Sequence, residues 1–460
     1  MTEKIYVVTD LGPGDGGKGG VVHKICNMMN AHTVLKVGGA QGSHGVCTSD
    51  GKRFAFSQWG CGTFDGTRTH ITERFVVSPE GLLNEADALK TCGVPDAFDL
   101  LTVDERALCA TPYHGIASRL KEMARGNNPR GTIGTGVGQA YRDAQKFSGL
   151  AIRVSDLSLP GLKTRLVANR EFIKKYLETI ICGEFLPDDR QEAAKEISLL
   201  EDDGFLDHVL MRFREASARI KIVGSEFLGR KVLSKKGVAV VESSHGILTD
   251  CHYGFHPHTS ALRTLPCFTH EMLRDAGYRG KVVNLGVTRA YAIRHGAGPM
   301  PTDDPAMYES LLPGSHKEEN RYQGKARVGP LDLVLLKYAV EVCGDPTAFD
   351  GLAITWFDQI RLNQAWQLCH SYRNDDDRTF FSPSGNINVR RYDRYFQRFH
   401  QENLGKQLQT CEPEITTYPV ASDTKQETCF RICADVLYAS LGVPVRMVSF
   451  GPTEKDKFCL

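Results

Sequence analysis

The run Gly12-Pro13-Gly14-Asp15-Gly16-Gly17-Lys18-Gly19-Gly20 sets one carboxylate and one ammonium among glycines. Glycine lets backbone N–H groups close on an anion, and a helix beginning just after it adds a positive field. Lys18 would contribute a full charge, so the chemistry suggested is phosphate binding through Gly14, Gly16, Gly17, Gly19 and that lysine. Three readings of the spacing compete. As G-x-G-x-x-G (Gly12, Gly14, Gly17) it fits a dinucleotide fingerprint, which also wants an acid ending the second strand. That strand ends Leu35-Lys36-Val37-Gly38-Gly39, without one. As G-x-x-x-x-G-K (Gly12, Gly17, Lys18) it fits a phosphate loop, except that Gly19 stands where Ser or Thr would hold magnesium. Asp15 is then the oxygen donor at hand. A ligand-free flexible turn is the third reading, and the position between strand and helix argues against it.

The elements that must hold this loop are legible on either side. Residues 5–11 are apolar and β-branched, and after Lys18 a helical pattern puts Val21, Val22, Ile25, Met28 and Met29 on one face. Residues 33–37 read as a second strand. Further buried strands are expected at 238–242, 282–286, 352–357 and 445–450. Together they predict an α/β fold around a largely parallel central sheet, with a P-loop-like N-terminal loop and helical insertions. Ligands in such sheets bind at the carboxyl ends of strands. Those ends carry Ser243-Ser244-His245, residues 289–298, Asp358, and Ser449-Phe450-Gly451-Pro452. We expect one domain over residues 1–460, a helical subdomain near 155–230 and a mobile substrate loop near 313–329.

Bulk properties narrow the function classes. Lys and Arg number 56 against 55 Asp and Glu, so no general charge argues for nucleic acid or an anionic membrane. The 14 cysteines follow no disulfide-framework spacing, and no apolar leader or spanning run is seen. A cytoplasmic protein with reduced thiols, binding neither nucleic acid nor membrane, is the expectation. Cys251, His252, His256 and His258 crowd one segment, though only His252 and His256 approach a zinc spacing.

With the loop and later segments together, the sequence resembles the adenylosuccinate synthetase family. Those enzymes join L-aspartate to IMP at the purine 6-position, driven by GTP and Mg2+. The family's G-D-E-G-K-G-K is similar to residues 14–20, and its N-A-G-H-T to Gln41-Gly42-Ser43-His44-Gly45. Its E-G-x-Q-G-x-L-x-D resembles residues 242–250, its A-Y-x-x-R-x-G-A-G-P-x-P-T residues 290–302, and its G-V-P-V-x-x-V-S-x-G-P residues 442–452. The resemblance implies a carbon–nitrogen ligase acting on a purine nucleoside monophosphate, a nucleoside triphosphate (GTP or ATP) and L-aspartate, in a homodimer. It implies Asp15 as general base and, with Ser43, a magnesium ligand. His44 would be acid or electrostatic stabiliser, and Lys18 would hold the transferring phosphoryl group. Gln41, Thr135, Gly136, His245 and Thr259 would meet the purine nucleotide, and Asp358, Ser449, Gly451 and Pro452 the triphosphate.

The departures matter as much. The family's T-T-G-R-x-R-R-x-G-W-x-D loop is matched by residues 321–332, where only Arg321, Lys325 and Arg327 remain as partners for the amino acid's carboxylates. Trp356 replaces the lysine of the guanine-reading T-K-x-D, and His245 replaces a glutamine. The threonine loop is shortened to Ile133-Gly134-Thr135-Gly136-Val137-Gly138-Gln139-Ala140-Tyr141, and the arginine that the family contributes across its dimer has Lys146 as nearest counterpart. These changes resemble a phage-type branch that makes 2-aminoadenylosuccinate from dGMP, although that branch lacks the catalytic aspartate kept here as Asp15. The expected acceptor is IMP. The alternatives are (d)GMP and, from another class, a non-catalytic nucleotide sensor.

Overall fold

Ile5, Val7 and Val8 are wholly or almost wholly buried on the opening strand, β1 (Thr2–Asp10). The computed structural model describes residues 1–181, 183, 185–312, 314 and 319–459. Helix α1 (Lys18–Met29) packs Val21, Val22, Ile25 and Cys26 into the core. Met28, expected on the same face, is 49% exposed. It lies at the margin of the stripe in the last turn, where the helix passes the edge of what it covers.

β1 does not pair with the next strand, β2 (Thr33–Gly39). The strand Gly237–Gly246 lies between them, parallel to both. On the other side of β1 come Lys281–Arg289, then Gly351–Thr355, then Val445–Ser449, all parallel. Arg68–Val77 continues the sheet beyond β2, followed by Leu101–Asp104 and Lys221–Val223. Among the described strands of this sheet only Lys457–Cys459, at one edge, runs antiparallel. Because the strands are parallel, their carboxyl ends share one edge of the sheet, and residues 10–20, 39–47, 245, 289 and 355–358 gather there.

Two further boundaries differ from the expectation. The strand read over 352–357 stops at Thr355, because Trp356 takes φ 60° and starts the helix Phe357–Asn363. The charged stretch near 155–230 holds the helices Leu162–Ile180, Arg190–Glu201 and Asp203–Arg219, but it ends by returning to the sheet as Lys221–Val223. Of the segment 313–329, residues 313 and 315–318 lie outside the described residues. Its last part, Ala326–Gly329, is a strand paired antiparallel with Ala292–His295. Among the described residues thirteen cysteines are free thiols, and no helix is long and apolar enough to cross a membrane.

Candidate active site

The loop after β1 is shaped from beneath by a buried acid. Asp10, fully buried, accepts from the Gly12 amide at 2.8 Å, the Gly16 amide at 2.7 Å and Lys18 Nζ at 2.8 Å. A Cβ on Gly16 would sit 2.7 Å from Asp10 Oδ2, so the tight wrap requires glycine there. Lys18 is 4% exposed, and losing Asp10, its one acidic partner among the described residues, would leave a charge stranded in the interior, at a cost of about 3–5 kcal/mol. Neither Asp10 nor its role was foreseen. An acid closing a β-branched strand two residues before a glycine run was the available signal.

Above that frame, Asp15 takes φ 59° and presents its carboxylate towards the cleft, with His295 Nε2 at 3.5 Å. Its carbonyl accepts from Arg289 Nε at 2.6 Å. The Arg289 guanidinium stacks over Trp356, 4.5 Å from the ring centroid, and donates to the Tyr291 hydroxyl at 2.8 Å. Thr355 donates its hydroxyl to the Gly16 carbonyl at 2.7 Å, tying the loop to a neighbouring strand end. Asp358 accepts from Gln359 Nε2 at 2.9 Å, and the Ser449 hydroxyl donates to the Gly451 carbonyl at 2.9 Å.

His44 is held by a second buried acid. Its Nδ1 lies 2.6 Å from Glu242 Oε1, which also accepts from Lys36 Nζ at 2.7 Å, while Oε2 accepts from the Cys61 amide at 2.9 Å. Lys36 and Glu242 face each other in register on adjacent parallel strands. Burial alone would raise the Glu242 carboxyl, but the Lys36 charge and the His44 hydrogen bond outweigh it and hold the group well below the usual carboxylate range. Burial pushes His44 down, with Glu242 opposing. Nδ1 is committed to Glu242, which leaves the other ring nitrogen for a ligand in the cleft that His44 lines. A negative group arriving at Nε2 would draw a proton onto a ring already backed by a carboxylate.

The opposite wall carries the shortened threonine loop. Gly136, at φ 83°, caps the helix Val137–Lys146 with no side-chain hydrogen bond, and a Cβ there would meet the Gly115 amide nitrogen at 2.3 Å. Thr135 and Gly136 thus line the cleft where the first turn of that helix begins, with Val137 and Gly138 beside them. His245, at φ 62°, hydrogen-bonds Gln41, and burial followed by the Lys18 charge pushes it down to about 4. It is a neutral imidazole. The Thr259 carbonyl accepts from Arg130 Nη2 at 3.2 Å.

All these walls enclose one cleft of about 1270 Å3 at the carboxyl edge of the sheet. A family model described as adenylosuccinate synthetase matches residues 7–458, nearly the whole chain. The chain belongs to the adenylosuccinate synthetase family. It is an enzyme of the carbon–nitrogen ligase class. Adenylosuccinate synthetase 1 of Cupriavidus pinatubonensis is 27% identical over 460 residues, covering 97% of this chain and 94% of its own. The adenylosuccinate synthetase of Clostridium beijerinckii is 28% identical over 376 residues, covering 81% and 82%. In three dimensions the fully ligated adenylosuccinate synthetase of Plasmodium falciparum superposes with a TM-score of 0.73 at 18% identity over 99% of both chains. A cyanophage S-2L succinoaminodeoxyadenylate synthetase, bound to dGMP and to dATP as energy donor, gives 0.54 at 14% identity over 100% of this chain and 96% of that one. Both likenesses are of fold.

The cleft of this adenylosuccinate synthetase family member collects most residues singled out from the sequence. Gly14, Asp15, Gly17, Lys18 and Gly19 line it from the loop; Gln41, Ser43 and His44 from the turn after β2; Thr135, Gly136, His245 and Thr259 from the nucleotide-facing wall; Asp358, Ser449, Gly451 and Pro452 from the remaining strand ends. Gly16 is buried beneath the loop. Three residues stand apart. Arg321 pairs with Asp189 at 3.3 Å, Lys325 with Glu319 at 3.7 Å, and Arg327 reaches Asp303 at 3.5 Å and the Gly296 and Gly298 carbonyls at 2.9 and 2.7 Å. None of them lines the cleft, although Gly314 and Gln323 of the same segment do. Arg289 and Arg294 fall in the strand-end stretch 289–298 pointed to by the sequence but were given no role of their own, and both line the cleft. The family needs a metal ion. Asp15 and Ser43 offer the hard oxygen donors such an ion takes when it also binds phosphate, and the Asp15 side chain is 38% exposed in the cleft mouth.

Proposed function

We propose that this chain joins L-aspartate to the 6-position of a 6-oxopurine nucleotide, IMP being the favoured acceptor, with cleavage of GTP or ATP through a 6-phosphoryl intermediate. The observation that carries the reading is that the Asp15 carboxylate and a Glu242-backed His44 open onto one cleft beside the Lys18 phosphate loop. Asp15 takes the N1 proton, which makes the 6-oxygen nucleophilic. That oxygen bonds the γ-phosphorus as the bond to the β-phosphate oxygen breaks. His44 Nε2 and the loop amides stabilise the charge on the moving group. The aspartate amine then bonds carbon 6, phosphate leaves with the C–O electron pair, and the amine gives up its proton. Magnesium, held by Asp15 and Ser43, would neutralise phosphate charge when bound.

In this reading Arg321, Lys325 and Arg327 meet the carboxylates of aspartate once their segment closes on the cleft. Assembly as a homodimer and a cytoplasmic location belong to the same reading. A second acceptor class, GMP or dGMP, is favoured by His245 and Trp356 standing where the family has glutamine and lysine.

The test is phosphate release with IMP, dIMP, GMP and dGMP, each paired with GTP or ATP, with and without L-aspartate. Aspartate-dependent release with IMP, and a product heavier by the succinyl increment, is the expected result. Release with dGMP alone would move the acceptor to the second class. Silence across the set, with nucleotide binding intact, would leave a sensor and sink the ligase reading.

A further inference from the structure

The strand Lys457–Cys459 runs against its parallel neighbours, so its first residue, not its last, stands at the edge where their carboxyl ends gather. Lys457 lies opposite Ser449 there and lines the cleft beside Gly20, Cys47 and Arg53. It is a buried cation, 6% exposed. Its Nζ donates to the Thr453 carbonyl at 2.8 Å and the Pro452 carbonyl at 3.3 Å, and it makes no ion pair among the described residues. The acids nearest to it along the chain are turned to other donors. Asp456 accepts from the Thr453 amide at 2.8 Å and hydroxyl at 2.7 Å, and Glu454 Oε2 accepts from the Ser49 amide at 3.0 Å. An ammonium carries three N–H donors, and two carbonyls leave one of them for a ligand in the cleft.

The neighbour that accounts for this lysine is Gly20, in the first turn of α1. A Cβ at position 20 would lie 3.1 Å from Lys457 Cε and 3.3 Å from Nζ, and among the described residues it would meet nothing else outside the helix backbone within 4 Å. The family's G-D-E-G-K-G-K ends in a second lysine at this position, where this chain has glycine. Lys457 occupies the space that such a side chain would enter, and brings an ammonium to the same turn from the far end of the chain. The turn opens behind Gly17, a cap with no side-chain hydrogen bond, so the helix field and the ammonium act on the same anion. Burial pushes Lys457 down to about 8, with Asp456 and Glu454 opposing and Lys24 adding. A cation kept in a cleft wall without a carboxylate at ion-pair distance is arranged for an anion that arrives.

We propose that Lys457 is the second ammonium of the phosphate loop, binding the phosphate chain of the nucleoside triphosphate in place of the lysine that the family motif carries where Gly20 stands. The inference rests on the ligase reading only for the nucleoside attached to those phosphates. Inorganic tripolyphosphate carries the same chemistry without it.

Calorimetric titration of the full chain, in Mg2+, with tripolyphosphate, GTP, ATP and the matching nucleosides tests it. Lys457→Gln keeps a donor for the Pro452 and Thr453 carbonyls and removes the charge. It is expected to weaken tripolyphosphate and the preferred triphosphate by about 10-fold or more, to leave the matching nucleoside unchanged and to keep the melting temperature. Should that variant melt early, Lys457→Met, which seals the wall with an apolar chain of similar length, takes its place. Gly20→Lys added to Lys457→Gln returns the ammonium to the helix and should recover most of the loss. Unaltered tripolyphosphate binding, equal weakening of the nucleoside, or a double variant that binds no more tightly than Lys457→Gln would overturn the proposal. Aspartate-dependent phosphate release by the native chain, with tripolyphosphate binding untouched in Lys457→Gln, would retire the contact and keep the ligase. Lys457-dependent tripolyphosphate binding without any aspartate-dependent release would do the reverse.

Discussion

The two walls of the cleft treat charge in opposite ways. On the loop wall each ion beneath the reacting groups has its counterion: Lys18 with Asp10, Lys36 with Glu242, and His44 resting on the same glutamate. On the facing wall Lys121, Arg130 and Arg142 make no ion pair with a carboxylate among the described residues, Lys121 and Arg130 donating to neutral oxygens instead. The first arrangement fixes geometry before any ligand arrives, which a site that moves a proton and a phosphoryl group requires. The second leaves attraction unsatisfied, which a site that captures an anion requires. Reaction and capture are thereby assigned to different elements of one cleft.

Breaking the loop wall should have the largest effect. Asp15→Asn removes the proposed base without changing its size, and kcat should fall by about 10²–10⁴-fold while the triphosphate still binds; steady-state rates alongside a nucleotide titration check both halves. Asp10→Asn leaves Lys18 buried without its counterion, and stability should drop by about 3 kcal/mol or more in urea unfolding. The facing wall should respond through pH instead. Lys121, held at about 7 by burial and its three arginine neighbours, is charged below that value and neutral above it. Affinity for a phosphate monoester should therefore decline above pH 7 by up to about tenfold per unit, and Lys121→Met should flatten the profile. The smallest effect is expected at the strut between walls. Thr355→Val removes the bond to the Gly16 carbonyl and should cost about 1 kcal/mol, visible as a modest fall in melting temperature.

What was legible in the sequence was local. The glycine loop between an apolar strand and an amphipathic helix announced itself, because φ values such as those of Gly14 and Gly17 demand glycine whatever the rest of the chain does. Motif order carried His44, Thr135 and Asp358 into the site. What depended on distant pairing was hidden. Nothing near Lys36 says that its partner is Glu242, and nothing in residues 121–142 distinguishes cleft-facing arginines from solvated ones. The strand over 352–357 was read too long because Trp356 is an unusual residue to turn a chain at positive φ. The amino-acid loop was read from spacing alone, and spacing does not say that Arg327 is already engaged by backbone carbonyls.

The seating of Gly237–Gly246 between β1 and β2 also governs how the molecule comes into being. When the phosphate loop and its helix leave the ribosome, the strand that separates β1 from β2 lies about two hundred residues downstream on the message still to be read. Until it arrives, two apolar strand edges stand open, and Lys36 has no glutamate. The reactive corner of the enzyme is written first and closed late. Chains cut short before residue 237 would expose those edges to one another, so the same insertion that aligns His44 with its carboxylate makes unfinished copies prone to aggregate.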